Sequence, residues 1–320
     1  MPVLAIDLGG TKLATAVFSE EGSILYEEKL ALQNRKGREV GALIAQQTKH
    51  ILDTQTAYSI TSIGVSVPGI SYQQKGSVWA PNIPGWEDYP LLDEISAVVP
   101  NIPVVIDSDR ACYILGEVWQ GNAKGCSDAI FLAVGTGIGA GILAGGSVLR
   151  GAHDIAGAIG WMALEKPYQE KFTSCGCFES RASGEGIAKL ARELLKDQND
   201  NSLLRNIEAD RLNALDVFRA CEQNDAVARE VIRQCVELWG MAVANLVSLF
   251  NPQKVIFGGG VFGPAIKFIP DIYQEAAKWA QPVSIKQVVL EPSALGHCAG
   301  LYGAGWLALQ NPKATTLFHV

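Results

Sequence analysis

The chain is short of positive charge: 26 lysines and arginines stand against 33 acids over 320 residues, a net charge of −7. A general nucleic-acid binder shows a basic face, so that class is set aside, and the same sign repels anionic membranes. A basic n-region is missing too. Met1-Pro2-Val3-Leu4-Ala5-Ile6 runs at once into Asp7, so no secretory signal is expected. No apolar run reaches a membrane-spanning length. Seven cysteines are an odd number, and most are scattered through apolar segments. Cys112, Cys126, Cys221, Cys235 and Cys298 read as buried free thiols. Without a disulfide framework the expected compartment is a reducing cytoplasm. Low-complexity segments and long linkers are absent. What is there is an ordinary globular composition, 48% hydrophobic and 18% charged, long enough for two domains with separate cores.

Two glycine-rich turns lie more than a hundred residues apart. Asp7-Leu8-Gly9-Gly10-Thr11-Lys12 follows the apolar run Val3–Ile6, and Gly135-Thr136-Gly137-Ile138-Gly139 follows Ala129–Val134. Each reads as a buried strand entering a tight turn without bulk. Glycine lets the backbone approach a phosphate closely, and free N–H groups at such a turn form an anion nest. Two nests suggest a nucleotide held between two similar halves.

The surrounding pattern repeats. Residues 3–8, 12–18 and 23–29 read as consecutive strands, with a hairpin turn at Ser19–Ser23. A helix is expected over 36–54, strands over 62–67 and 103–107, and a helix over 111–120. Residues 129–134 and 138–144 restart the plan around the second turn, with Gly145-Gly146 as a hairpin turn. Helices are expected over 183–197, 225–249 and 298–310. Asn251-Pro252 breaks the second of these before a strand at 254–257 that feeds Gly258-Gly259-Gly260. The weak internal repeat suggests duplicated α/β domains. A dinucleotide fold fails as the reading of the second turn, because a strand rather than a helix follows Gly139.

With these three glycine motifs in order, the chain resembles the ROK family of repressors and bacterial sugar kinases. Val67-Pro68-Gly69, Ala80-Pro81-Asn82-Ile83-Pro84-Gly85-Trp86, Gly116-Glu117 and Asn251-Pro252 add to the likeness, which covers nearly the whole chain. The resemblance implies two actin-like (ribonuclease H-like) α/β domains with a cleft between them: 1–120 plus 304–320, and 121–303. Family repressors carry a DNA-binding domain ahead of the first turn. Only six residues precede Asp7 here, so the repressor branch is not expected.

Phosphoryl transfer needs positioning, charge neutralisation and a base near the acceptor hydroxyl. The resemblance assigns ATP and its phosphates to Asp7, Gly9, Gly10, Thr11, Lys12, Thr136 and Gly137, with Gly258, Gly259 and Gly260 near the adenosine. Asp7 would serve Mg²⁺ through water. Lys12 has a plainer reading as a solvated strand residue. Asp109 stands eight residues before Glu117, as the family's general base does, although it also reads as a helix N-cap. Sugar contacts are assigned to Gly69, Asn82, Ser108, Asp109, Trp161 and Glu179.

Two departures bear on specificity. Gly157-Ala158-Ile159-Gly160-Trp161 stands where many relatives have Gly-Glu-Ile-Gly-His, so a carboxylate and an imidazole are gone. Cys175-Gly176-Cys177-Phe178-Glu179 is a shortened zinc loop with two cysteines, and a closed structural zinc site needs four ligands, so none is expected. Trp161 reads equally as a platform for a sugar ring or as core filling. The expected activity is ATP- and Mg²⁺-dependent phosphorylation of a sugar hydroxyl, the 6-OH of a hexose or of an amino or modified hexose, by a homodimer. The competing reading is a non-catalytic sugar sensor of the same fold.

Overall fold

Strand-forming residues in runs of five to eight, punctuated by glycine, build most of the framework. The computed structural model describes residues 1–196 and 201–311. Residue 197, the end of one expected helix, and residues 312–320 of the expected N-terminal domain lie outside the described residues. The elements are β1 (Val3–Leu8), β2 (Lys12–Phe18), β3 (Ile24–Ala31), α1 (Arg38–Thr54), β4 (Ile63–Val67), β5 (Ile70–Tyr72), β6 (Ser77–Trp79), α2 (Leu91–Val98), β7 (Val104–Ser108) and α3 (Asp109–Gln120). There follow β8 (Ala129–Val134), β9 (Ile138–Ala144), β10 (Ser147–Val148), α4 (Cys177–Ala182), α5 (Gly184–Leu194), α6 (Ala214–Glu222), α7 (Ala226–Phe250), β11 (Lys254–Gly258), α8 (Ile269–Trp279), β12 (Val289–Pro292) and α9 (Ala299–Leu309).

The chain forms two compact units. One comprises Met1–Gly125, Val148–Ala156 and the segment from Cys298 onward; the other comprises Cys126–Ser147 and Gly157–His297. Each holds a five-stranded mixed sheet, in the order β3-β2-β1-β4-β7 in the first and β10-β9-β8-β11-β12 in the second. Counted within its own sheet, each has the strand order 3-2-1-4-5. In both, the second strand runs antiparallel to the first, and the fourth runs parallel to it.

Alternation along β1 sends Leu4, Ile6 and Leu8 to a core shared with α1 and α2, and Val3 and Ala5 to the opposite face under α3 and α9. The α3–α9 face is lined by small residues, which lets backbones meet. A side chain at Gly303 of α9 would collide with the Cys112 carbonyl of α3. Three glycines in the eleven residues of α9 weaken it as a helix by about 1 kcal/mol each, and close packing offsets that cost. The second core collects α5, α6, α7 and α8 around β8, β9 and β11.

The expected helices and strands appear, most ends shifted by a residue or two, while the helix expected over 183–197 stops at Leu194. The sequence reading did not include α2, α4, α6, α8 or the short strands β5, β6 and β12. Two of the five cysteines expected to be buried, Cys112 and Cys235, are buried. Cys126, Cys221 and Cys298 are partly exposed, because they sit in a loop, a last helical turn and a helix cap.

Candidate functional site

In the first unit three parallel strands end side by side. Their register aligns Asp7 of β1 with Ser66 of β4, and Ser66 with Asp107 of β7. Two acids and a hydroxyl therefore form a row across the sheet. A side chain on Gly300, in the first turn of α9, would meet the Asp7 carboxylate at 2.8 Å. Burial pushes the Asp7 carboxyl above the usual carboxylate range, opposed by the Ser66 hydroxyl and the Lys12 charge. Ser66 Oγ itself is buried and makes no hydrogen bond of full geometry.

Chain direction changes at the end of β7, where Ser108 caps α3 by accepting from Ala111 N at 3.3 Å. The N-cap role thus falls to Ser108, and Asp109 is the first residue of the helix. Asp109 Oδ1 accepts from Arg110 N at 2.8 Å, and the Tyr113 hydroxyl donates to Oδ2 at 3.4 Å. Desolvation raises the Asp109 carboxyl from 3.8 to about 6, against the attraction of Arg110 and with added repulsion from Asp7. Asp109 in turn holds the Tyr113 phenol well above its ordinary value, so it stays a neutral donor.

Asp107 is engaged differently. Its Oδ1 accepts from Ser108 N at 2.8 Å, and its Oδ2 accepts from Arg150 Nε at 2.9 Å and Nη2 at 2.5 Å. Burial still raises its carboxyl, and Arg150 restrains the rise. Arg110 reaches the other way, donating to the Gly69 carbonyl at 3.2 Å. Gly69 has φ +95°, and a side chain there would collide with the Trp79 carbonyl. This packs Gly69 against the start of the loop that carries Asn82, which is exposed in a turn anchored by buried Ile83 and Trp86. The first glycine turn closes through Gly9 N to the Lys12 carbonyl at 2.9 Å and leaves Gly10, Thr11 and Lys12 exposed.

The second unit gathers its own set. The turn after β8 closes through Gly135 N to the Gly137 carbonyl at 2.9 Å, with Thr136 exposed at its tip. The Gly135 carbonyl accepts from Gly184 N at 2.8 Å, which joins the first residue of α5 to this turn. Ser183 caps that helix by accepting from Gly186 N at 3.0 Å. Gly258-Gly259-Gly260 closes on the same place: Gly259, with φ +86°, lies against the Val134 backbone, and Gly258 lies under the Phe131 ring. Two glycine runs and a capped helix N-terminus therefore converge at the ends of parallel strands β8 and β11. Such a convergence of backbone N–H groups suits an anion.

Glu179 braces the turn. Its carboxylate accepts from Ile138 N at 2.6 Å, and side chains at Gly137 or Gly160 would meet it at 2.7 and 2.9 Å. Burial raises its carboxyl, countered by that hydrogen bond and by Lys189. Trp161, one residue beyond Gly160, is 58% exposed, which excludes core filling. It lines a cavity of about 860 Å³. Cys177 opens α4 and is buried, and Cys175 is partly exposed. Among the described residues no three His, Cys, Asp or Glu side chains are grouped to hold a metal ion.

Sequence reasoning gave a site role to most of these residues but not to Ser66, Arg110, Tyr113, Arg150 or Gly300. None of these carries a motif, and register or packing alone brings them in. It placed Ser183 at a helix start without linking it to the second turn. A serine cap directly after Glu179 and Ala182 was the available signal.

The ROK family model matches residues 3–311. A glucokinase of Halalkalibacterium halodurans is 31% identical over 97% of this chain and 96% of its own. A xylose repressor of Caldicellulosiruptor bescii is 31% identical over 80% of this chain and 65% of its own. The solved structure of a ROK family glucokinase from Streptomyces griseus, in complex with glucose and AMPPNP, is 28% identical. It superimposes with a TM-score of 0.76 over 97% of this chain and 100% of that one. Paired mixed sheets of one topology, glycine turns at corresponding strand ends and a match over nearly the whole length agree: the chain belongs to the ROK family, with its actin-like α/β fold in two units.

Proposed function

We propose that the chain is an ATP-dependent sugar kinase that transfers the γ-phosphoryl group to a sugar hydroxyl, with Asp109 as general base. The observation that carries this reading is Asp109 itself. It is a desolvated carboxylate raised to about 6, on the first turn of α3 beside the Asp7–Ser66–Asp107 row. A base poised near neutrality is ionised at pH 7.5 yet accepts a proton readily as the acceptor oxygen attacks. The proton passes to Asp109, the oxygen bonds the γ-phosphorus, and ADP leaves with the electrons of the broken P–O bond. Arg110 and Tyr113 hold the carboxylate in place throughout.

The assignments are then as follows. In the first unit Gly9, Gly10, Thr11 and Lys12 meet phosphate, and Gly69, Asn82, Ser108 and Asp109 meet the sugar. In the second, Thr136 and Gly137 meet phosphate, Gly258–Gly260 the adenosine, and Trp161 and Glu179 the sugar. Asp7 supplies hard oxygen donors suited to Mg²⁺, which keeps most of its waters and takes one or two carboxylates alongside phosphates. Burial disfavours its bare negative charge, which a bound cation would neutralise. When bound, the ion would neutralise charge developing on the phosphates. A hexose 6-OH acceptor, a homodimer and a cytoplasmic setting rest on the family resemblance and the free thiols. No helix among the described residues is long and apolar enough to cross a membrane.

The test is coupled ADP release from Mg-ATP across a panel of hexoses and amino sugars, beside Asp109→Asn. Sugar-dependent turnover that collapses in the variant supports the reading. Sugar binding without turnover on any sugar would replace it with the non-catalytic sensor.

A further inference from the structure

The cavity beside Trp161 is not used by the phosphoryl-transfer chemistry. It lies wholly within the second unit, between the stretch after Gly160 and the turn that leads into α4. Its volume of about 860 Å³ falls in the upper part of the range of about 300–1,000 Å³ for small-molecule sites. Its walls are Trp161, Pro167, Tyr168 and Phe172, with Glu165 and Lys166 as the charged groups. Trp161 and Tyr168 are 58% and 69% exposed. Phe172 is buried and sits edge-on to Tyr168, with ring centroids 6.2 Å apart. Tyr168 is not loose, because its hydroxyl is 2.7 Å from Thr173 Oγ1.

The one acid on the lining is paired. Both Glu165 carboxylate oxygens accept from Arg181, each at 2.7 Å, so no unpaired negative charge faces the cavity. Tyr168, held by Thr173 and Phe172, presents a preorganised apolar surface beside the exposed Trp161 ring. The cavity is also tied to the phosphate turn. Gly176 packs on the Gly160 carbonyl and on Trp161 Cα, Gly160 abuts Glu179, and Glu179 holds Ile138 N. A hexose at Glu179 and Trp161 would have its ring substituent next to this aromatic wall.

We propose that the cavity receives the aromatic aglycone of a hexoside, so that the preferred acceptor is an aryl-substituted sugar rather than a free hexose. The assignment rests on the sugar-kinase reading for the position of the hexose. Aromatic walls favour an aromatic ring by stacking, and Arg181 neutralises the one carboxylate on the lining.

The experiment is titration calorimetry of the full chain with phenyl β-D-glucoside, its α anomer, glucose and phenol, beside Tyr168→Ala and Tyr168→Phe. ADP release is measured on the same panel. One phenyl glucoside is expected to bind at least tenfold tighter than glucose. Tyr168→Ala should abolish that advantage and leave glucose binding unchanged, while Tyr168→Phe retains it. Equal affinity for glucose and both glycosides would overturn the proposal, as would an advantage indifferent to Tyr168→Ala. Phenol binding as tightly as the glycoside would overturn it too. If the aryl preference holds but no sugar releases ADP, the cavity assignment stands and the kinase reading falls. Turnover of glucose without any aryl preference separates the two in the opposite sense.

Discussion

Replacing Asp109 with asparagine should move activity and stability in opposite directions. Desolvation lifts its carboxyl from 3.8 to about 6, so the ionised form is disfavoured in the folded state. That rise corresponds to about 3 kcal/mol of instability at pH 7.5. Part of that is screened, because the side chain keeps some solvent access. Asparagine keeps an acceptor for Arg110 N and forfeits at most about 1 kcal/mol at the long Tyr113 contact. The net expectation is a gain of about 1–2 kcal/mol, or a melting point higher by about 2–6 °C.

The sign in pH follows from linkage. The folded pKa lies above the unfolded one, so the folded state binds the extra proton between about pH 4 and pH 6, and wild-type stability falls as pH rises through that window. The advantage of the variant should therefore be full at pH 7.5, about half as large at pH 5, and gone below pH 4. Calorimetric melts at pH 7.5 and pH 5.0 read this directly. In parallel kcat should fall by about 10²–10⁴, with ATP affinity unchanged, and the wild-type rate should show an acid limb near pH 6. A variant that melts lower than wild type at pH 7.5 would refute the reasoning. It would make Asp109 a structural residue and its lost activity a folding effect.

Other perturbations test other joints. Arg150→Met leaves Asp107 buried and unpaired and should cost about 3 kcal/mol at pH 7.5. The loss should shrink at pH 5 as Asp107 takes a proton, which melts at the two pH values would show. Gly184→Ala presses a methyl to 2.9 Å from the Gly135 carbonyl. It should raise the KM for ATP about tenfold while calorimetric sugar binding stays unchanged. Gly303→Ala drives a methyl into the Cys112 backbone, which cannot swing aside as a side chain can. It should cost about 3 kcal/mol or more and show as a large drop in melting temperature.

The sequence by itself determined the local grammar. Apolar runs ending at Gly9-Gly10, Gly135–Gly139 and Gly258–Gly260 marked strands and the turns after them, because period and glycine content are properties of neighbouring residues. The resemblance to the ROK family, and not spacing alone, singled out Asp109 by its offset from Glu117. Composition could not say which acids share a surface. Asp7 and Asp107 are a hundred residues apart, and only the parallel register through Ser66 sets them in one row. Whether Trp161 filled a core or faced solvent was equally balanced in the sequence, since an aromatic after Gly160 suits both. In the structure it faces outward, beside Gly176, which lies against the Gly160–Trp161 backbone. Nor could sequence reveal that Arg150 pairs with Asp107, or that α9 lies so close to α3 that Gly303 has no room for a methyl. Local preference is written in adjacent residues, whereas charge pairing and desolvation depend on what the fold brings near, and that was settled only in three dimensions.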